Sequence, residues 1–179
     1  MKFVKDILIF DCVIAHETDI DKSPIIQLAG ILLDKNNLLQ RAVFDTYIKT
    51  SVLDSTLTKH SYALGIPEAE LRKSPRSPEA LKKFVDILGV DCTLTCQTAN
   101  NYISFRNAFR NSSIAFPYTN PLLELWGLEY MYTLTFGLKK LPTLETVAEH
   151  FRYKINNRYN AIDRVKAEAH VLRQIVSHI

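Results

Sequence analysis

The chain of 179 residues is 47% hydrophobic with only five glycines and seven prolines, enough apolar material for a full core, which excludes a disordered tail and a small disulfide-stapled fold. Its net charge of +3 is unevenly spread: residues 1–91 carry 12 Lys and Arg against 13 Asp and Glu, residues 92–179 carry 10 against 6, so a basic face for phosphate is permitted without being required. Charged residues interrupt every apolar stretch well short of the roughly 18 that a bilayer span needs, and the first residues lack the apolar region of a secretory signal, so a cytoplasmic protein with no membrane partner is expected.

Residues 7–10 form a short apolar run ending in Asp11, the pattern of a strand buried on both faces. A polar interval over 16–23 predicts a loop. Residues 25–33 predict a second strand, 34–37 a turn, and 42–48 a third strand, together an antiparallel meander. Ser77 as a capping hydroxyl and Pro78 in the first turn precede Ala80, Leu81, Phe84, Val85 and Leu88, spaced as one helix face, with Gly89 as the stop. Residues 92–96 alternate like a fourth strand, and 101–109 read as a helix. Asn120-Pro121 opens a largely apolar segment through Trp126 and Tyr132 that is expected to be helical. Thr143 caps a short helix with Leu144, Val147, Ala148 and Phe151 on its face. Last, Ile162, Val165, Ala169, Leu172, Val176 and Ile179 recur at steps of three and four, the stripe of a long amphipathic helix.

Strands first, then helix and strand in alternation, then helices predict an α/β domain over residues 1–179, with helices against a mixed sheet of about five strands. Three cysteines, Cys12, Cys92 and Cys96, are an odd number in a chain that needs no staples, and reduced core thiols are expected.

Asp11 draws chemical attention because a carboxylate at the C-terminal end of a central strand sits where α/β sheets hold ligands. Phe10-Asp11-Cys12-Val13-Ile14, followed after a loop by Ile25-Ile26-Gln27-Leu28-Ala29, resembles the first motif of the DEDDh 3′–5′ exonucleases, the DnaQ-like and ribonuclease T-like group of the ribonuclease H-like fold. Four more stretches fall in that family's order: 64–68 with Leu71 and Pro75, 94–102, 141–151, and Tyr159-Asn160-Ala161-Ile162-Asp163-Arg164. The resemblance implies an antiparallel meander of three strands extended by parallel strands and flanked by helices.

Active members of the family hold two Mg²⁺ or Mn²⁺ ions with four carboxylates and use a histidine as general base. Carried over by position, Asp11 is the one family carboxylate retained. Val13 stands at the glutamate position, Tyr102 at the second-motif aspartate, and Tyr159 and Arg164 at the third-motif histidine and aspartate. No aspartate occurs between Asp91 and Asp163, so no shift of register supplies the middle motif. Two dications about 4 Å apart repel by roughly 17 kcal/mol at an effective dielectric of about 20, which one carboxylate facing a guanidinium does not offset. An inactive member with no metal cofactor is therefore expected, and Arg164 is expected within ion-pair reach of Asp11 in the place of a metal, the bland alternative being that it points to solvent.

Three readings remain open. A cleft without metals can hold single-stranded nucleic acid through Arg152, Lys154, Arg158 and Arg164, with Tyr102, Tyr153 or Tyr159 stacking on bases. A scaffold can dock on a protein partner through the apolar stretch 122–136, and ribonuclease T-like relatives suggest a homodimer. An Mg²⁺- or Mn²⁺-dependent enzyme of low activity can persist through Asp11 and Glu17.

Overall fold

Strand β1 (Asp6–Ile14) is the centre of the molecule because its residues are apolar on both faces and therefore need cover on both. The computed structural model describes residues 3–15, 23–50, 54–137 and 143–178. On one side β1 pairs antiparallel with β2 (Ile25–Leu33), which pairs antiparallel with β3 (Gln40–Tyr47). On the other side it pairs parallel with β4 (Cys92–Cys96), and β4 with β5 (Leu123–Glu124), giving the order β3-β2-β1-β4-β5.

The period of two along β1 divides the core. Leu8, Phe10 and Cys12 face α3 (Ser77–Leu88) and α4 (Ala99–Asn111), where Phe84, Phe105 and Phe109 form one aromatic cluster. Ile7 and Ile9 face α7 (Ala161–His178), packing on Val165, Ala169 and Leu172. Asp11 is next in that second series, so the pleat turns its carboxylate toward α7. Behind α7, α6 (Leu144–His150) contributes Val147 and Ala148 to a smaller core with Ala167, Val171 and Ile175. Thr143 caps α6 in a reciprocal capping box with Thr146. The stripe predicted for the last helix is present: Val165, Ala169 and Leu172 are buried and Ile162 and Val176 half-buried, while Ile179 lies outside the described residues.

Several elements differ from the sequence expectation. The segment opened by Asn120-Pro121 first supplies β5, and helix α5 (Leu125–Phe136) begins only afterwards. Two residues of strand carry no periodicity of their own. Helices α1 (Asp54–Leu64) and α2 (Glu68–Lys73) have no counterpart among the predicted elements; α1 buries only Leu57 and Leu64 among many hydroxyl residues, too thin a stripe to be read. Ser77 is the first residue of α3 and makes no cap: Arg76 holds that position, and the Ser77 hydroxyl lies 3.0 Å from that of Ser112. Gly89 does end α3, with φ 74° and its N–H on the Val85 carbonyl.

All three cysteines are free and buried, and burial pushes each thiol up from its ordinary range. Among the described residues no helix is long and apolar enough to cross a membrane.

Helix α3 lies so close to the sheet that only glycine fits beneath it. A Cβ on Gly30 of β2 would stand 2.7 Å from Leu88 Cδ1 and 2.8 Å from Phe84 Cε2. Gly30→Ala is expected to destabilise the protein by about 1–3 kcal/mol through overpacking, seen as a lower urea midpoint at unchanged m-value.

Candidate functional site

The site forms where the C-terminal end of β1 meets the start of α7 and the start of α4. Gln27 of β2, wholly buried, sets the position of α7. Its Nε2 donates to Asp45 Oδ1 (2.9 Å) and Asn160 Oδ1 (3.0 Å), and its Oε1 accepts the Ala161 N–H (2.9 Å). Asn160 Oδ1 also accepts the Ile162 N–H at 3.1 Å, capping the helix. Arg164 lies one turn further and reaches Asp11.

Asp11 is only 1% exposed, and both of its carboxylate oxygens are engaged. Oδ1 accepts the Cys12 N–H at 2.7 Å and an N–H of the Asn101 amide; Oδ2 accepts Nε–H of Arg164. The rest of the guanidinium is engaged as well, with Nη1 donating to the Arg158 carbonyl (3.3 Å) and Nη2 to the Cys12 carbonyl (3.4 Å). Burial works against the charge on Arg164, but the Asp11 carboxylate and its hydrogen bond outweigh this and hold the guanidinium above its ordinary pKa. The cation thus fastens the end of β1 to α7 and to the loop before it.

The other replaced positions do not converge on Asp11. Tyr102 turns its ring edge-on to Phe116, with centroids 5.7 Å apart. The side chain of α4 that meets Asp11 is Asn101, one residue earlier, a neutral amide with the shape of a carboxylate. Val13 is half-buried and packs at an apolar edge. Tyr159 is half-exposed, its hydroxyl accepting from Arg158 Nη2 (2.7 Å), and the Arg158 guanidinium lies 4.9 Å from its ring centroid. Asp163 accepts the Asn157 N–H at 3.1 Å, off the Asp11 side of α7.

Sequence reasoning misses two carboxylic acids. Glu168, one turn beyond Arg164, and Glu129 of α5 are both buried to within 1%. Glu129 Oε2 accepts from Gln97 Nε2 at 2.7 Å, whereas Glu129 Oε1, Glu168 Oε2 and Gln97 Oε1 have no hydrogen-bond partner among the described residues. Burial foremost pushes Glu129 up to about 7, with Glu145 adding to the rise and Gln97 opposing it. Burial also pushes Glu168 up, with Asp11 adding and Arg164 opposing. Glu129 is therefore largely a neutral acid below pH 7, and burial shifts Glu168 in the same direction. The signal for Glu168 is its spacing, since it falls on the inward stripe of α7 between Val165 and Leu172.

This donor set does not fit a pair of divalent ions. Both oxygens of Asp11 are taken, one of them by a cation, and the acid of α7 that faces it, Glu168, is buried with its pKa raised by that burial. Among the described residues no group of three or more His, Cys, Asp or Glu is arranged to hold a metal. Glu17 lies outside the described residues.

Of the basic residues predicted to meet nucleic acid, Arg152, Lys154 and Arg158 line one open cavity of about 520 Å³ together with Tyr153, Glu145 and Glu149. Arg164 is not among its lining residues.

A mixed sheet in the order β3-β2-β1-β4-β5, flanked by helices, is the ribonuclease H-like exonuclease fold. No protein-family model and no curated protein matches the chain. Solved structures do. The nuclease domain of 3′hExo, a DEDDh family member bound to rAMP, superposes with a TM-score of 0.77 at 17% identity, over 99% of this chain and 95% of that one. Cell-death related nuclease 4 gives 0.76 at 18%, over 97% and 64%. E. coli exonuclease I in complex with a dT13 oligonucleotide gives 0.71 at 16%, over 96% and 41%. The chain thus shares the fold of the DEDDh exonucleases and spans about two thirds of cell-death related nuclease 4 and well under half of exonuclease I.

Proposed function

We propose that this protein is an exonuclease-fold module without hydrolytic activity that binds single-stranded nucleic acid. The observation that supports its inactivity is the ion pair between buried Asp11 and part-buried Arg164, in which a guanidinium satisfies the carboxylate that a metal would otherwise need. Nucleic-acid binding draws support from the fold neighbours solved with oligonucleotides and from the cavity edged by Arg152, Lys154 and Arg158.

Fluorescence anisotropy with a labelled single strand tests it. Affinity is expected to fall with salt, the logarithmic slope being about −2 if three phosphates are neutralised. No mononucleotide is expected to be released in Mg²⁺ or Mn²⁺. Release that Asp11→Ala abolishes would restore the enzymatic reading, with Glu17 as the first residue to test. One observation favours a second reading, a scaffold for a protein partner or a second copy: Trp126, Met131 and Leu134 of α5 are exposed, with Trp126 stacked on Tyr130. Absence of oligonucleotide binding at low salt would leave that reading in possession.

A further inference from the structure

Helix α4 carries a second basic surface that nothing in the site above employs. Tyr102, Arg106 and Arg110 recur every four residues and so lie on one face of the helix, their backbone positions about 6 Å apart along its axis. After α4, Ser113 takes a left-handed conformation (φ 56°), and the Ile114 N–H bonds the Phe109 carbonyl at 3.0 Å. The chain is thereby turned back so that Ile114 and Phe116 run alongside the helix. Between the two segments lies an open groove of about 510 Å³ lined by Tyr102, Ile103, Arg106, Arg110, Ile114 and Phe116. Its floor is firm, because Phe116 packs edge-on against Phe105, Phe109 and Tyr102 with centroids 5.4–5.9 Å apart.

The electrostatics of the groove are one-sided. Between Asp91 and Glu124 the chain has no acid at all, and its only charged residues there are Arg106 and Arg110. Neither makes an ion pair among the described residues, and both are exposed. Exposed arginines commonly sit beside a carboxylate of their own helix; here two are held one turn apart with none, beside an aromatic ring and an apolar strip. That combination suits a chain of phosphodiesters carrying flat bases.

We infer that the α4 groove takes the phosphodiester backbone of a single strand, with Arg106 and Arg110 on successive phosphates and a base against Tyr102 and Ile103. This rests on the nucleic-acid reading above and gives the strand a second set of basic contacts, distinct from Arg152, Lys154 and Arg158.

The test compares Arg106→Gln/Arg110→Gln with Arg152→Gln/Lys154→Gln/Arg158→Gln, each titrated with a labelled oligothymidylate of about 12 nucleotides over a range of salt. All five side chains are exposed, so both variants are expected to keep the wild-type melting temperature. The α4 variant is expected to bind about tenfold or more weakly at low salt, with the salt slope reduced by about 1.4, the share of two phosphates on a single strand. Arg106→Lys/Arg110→Lys is expected to restore that slope. Wild-type affinity and slope in the α4 variant, with loss in the other, would overturn the groove and leave the nucleic-acid reading standing. No binding by wild type at low salt would overturn both.

Discussion

Arg164→Met is expected to lower the urea midpoint by an amount equivalent to about 3 kcal/mol, with an unchanged m-value. The substitution keeps the apolar stem of the side chain and removes the one cation paired with Asp11 among the described residues. What remains is a carboxylate 1% exposed, served among the described residues only by the Cys12 N–H and the Asn101 amide. Breaking a buried pair in this way costs about 3–5 kcal/mol, and the lower end applies because water reaches the 26%-exposed Arg164 side chain. Adding Asp11→Asn to Arg164→Met is expected to recover most of the loss, since the charge left without a partner is then gone. A single variant within about 1 kcal/mol of wild type, or a double variant no better than the single, would show that the pair does not hold the site together. Arg164→Asp extends the comparison: with the internal cation exchanged for an anion beside Asp11, Mn²⁺ is expected to raise the melting temperature of the variant and to leave that of wild type unchanged.

The Asp11–Arg164 pairing is legible in the sequence through the family resemblance, which sets both residues at positions that share one metal in active members, and the fold realises it through two regularities. The pleat of β1 places Asp11 on the face of Ile7 and Ile9, and the stripe of α7 turns that face toward Arg164. Patterns of this kind are carried by many apolar residues at once and survive a single exception. What the sequence leaves unread is decided locally. Position matching puts Tyr102 at the second-motif carboxylate, yet α4 begins at Ala99, which aims Asn101 at Asp11 and turns Tyr102 outward to Phe116. One residue of helix is about 100° of rotation, more than any alignment of short motifs resolves. Glu129 and Glu168 are hidden for a different reason: an acid on a helix is ordinarily solvated, so neither stands out although each lies on an inward-facing position. Arg158 and Tyr159 are separate candidates when read one by one, but they stack on each other at the surface, a contact between adjacent residues that periodicity does not encode.

The two buried acids make the fold sensitive to pH in the direction opposite to ordinary acid denaturation. Glu129 faces Gln97 at the end of β4 and feels the charge of Glu145 on α6; Glu168 is faced by Asp11 on β1, Cys96 on β4, Glu129 on α5 and Arg164 on its own helix. In the unfolded chain each titrates near about 4.3. In the folded protein Glu129 holds its proton to about 7, and Glu168 is raised as well. The native state therefore binds more protons than the unfolded state above the ordinary glutamate range, and stability, complete below it, falls as pH rises. For Glu129 the fall runs from about pH 4.5 to 7 and amounts to about 3 kcal/mol, with the contribution of Glu168 extending it in the same direction. Half-buried Asp34 and exposed Asp91 are held low, by the Asn36 N–H and by Lys5 respectively, and act the other way, but equally in wild type and variants. Urea midpoints measured at about pH 5 and pH 8 are accordingly expected to show wild type losing stability toward pH 8. Glu129→Gln, which keeps the shape and the hydrogen-bonding edge of the neutral acid, is expected to be more stable than wild type at about pH 8 and close to it at about pH 5. Glu168→Gln is expected to act likewise. Variants whose pH dependence runs parallel to wild type would mean that these carboxyls ionise at their ordinary pH, and that the three unpartnered oxygens of Gln97, Glu129 and Glu168 owe nothing to a retained proton.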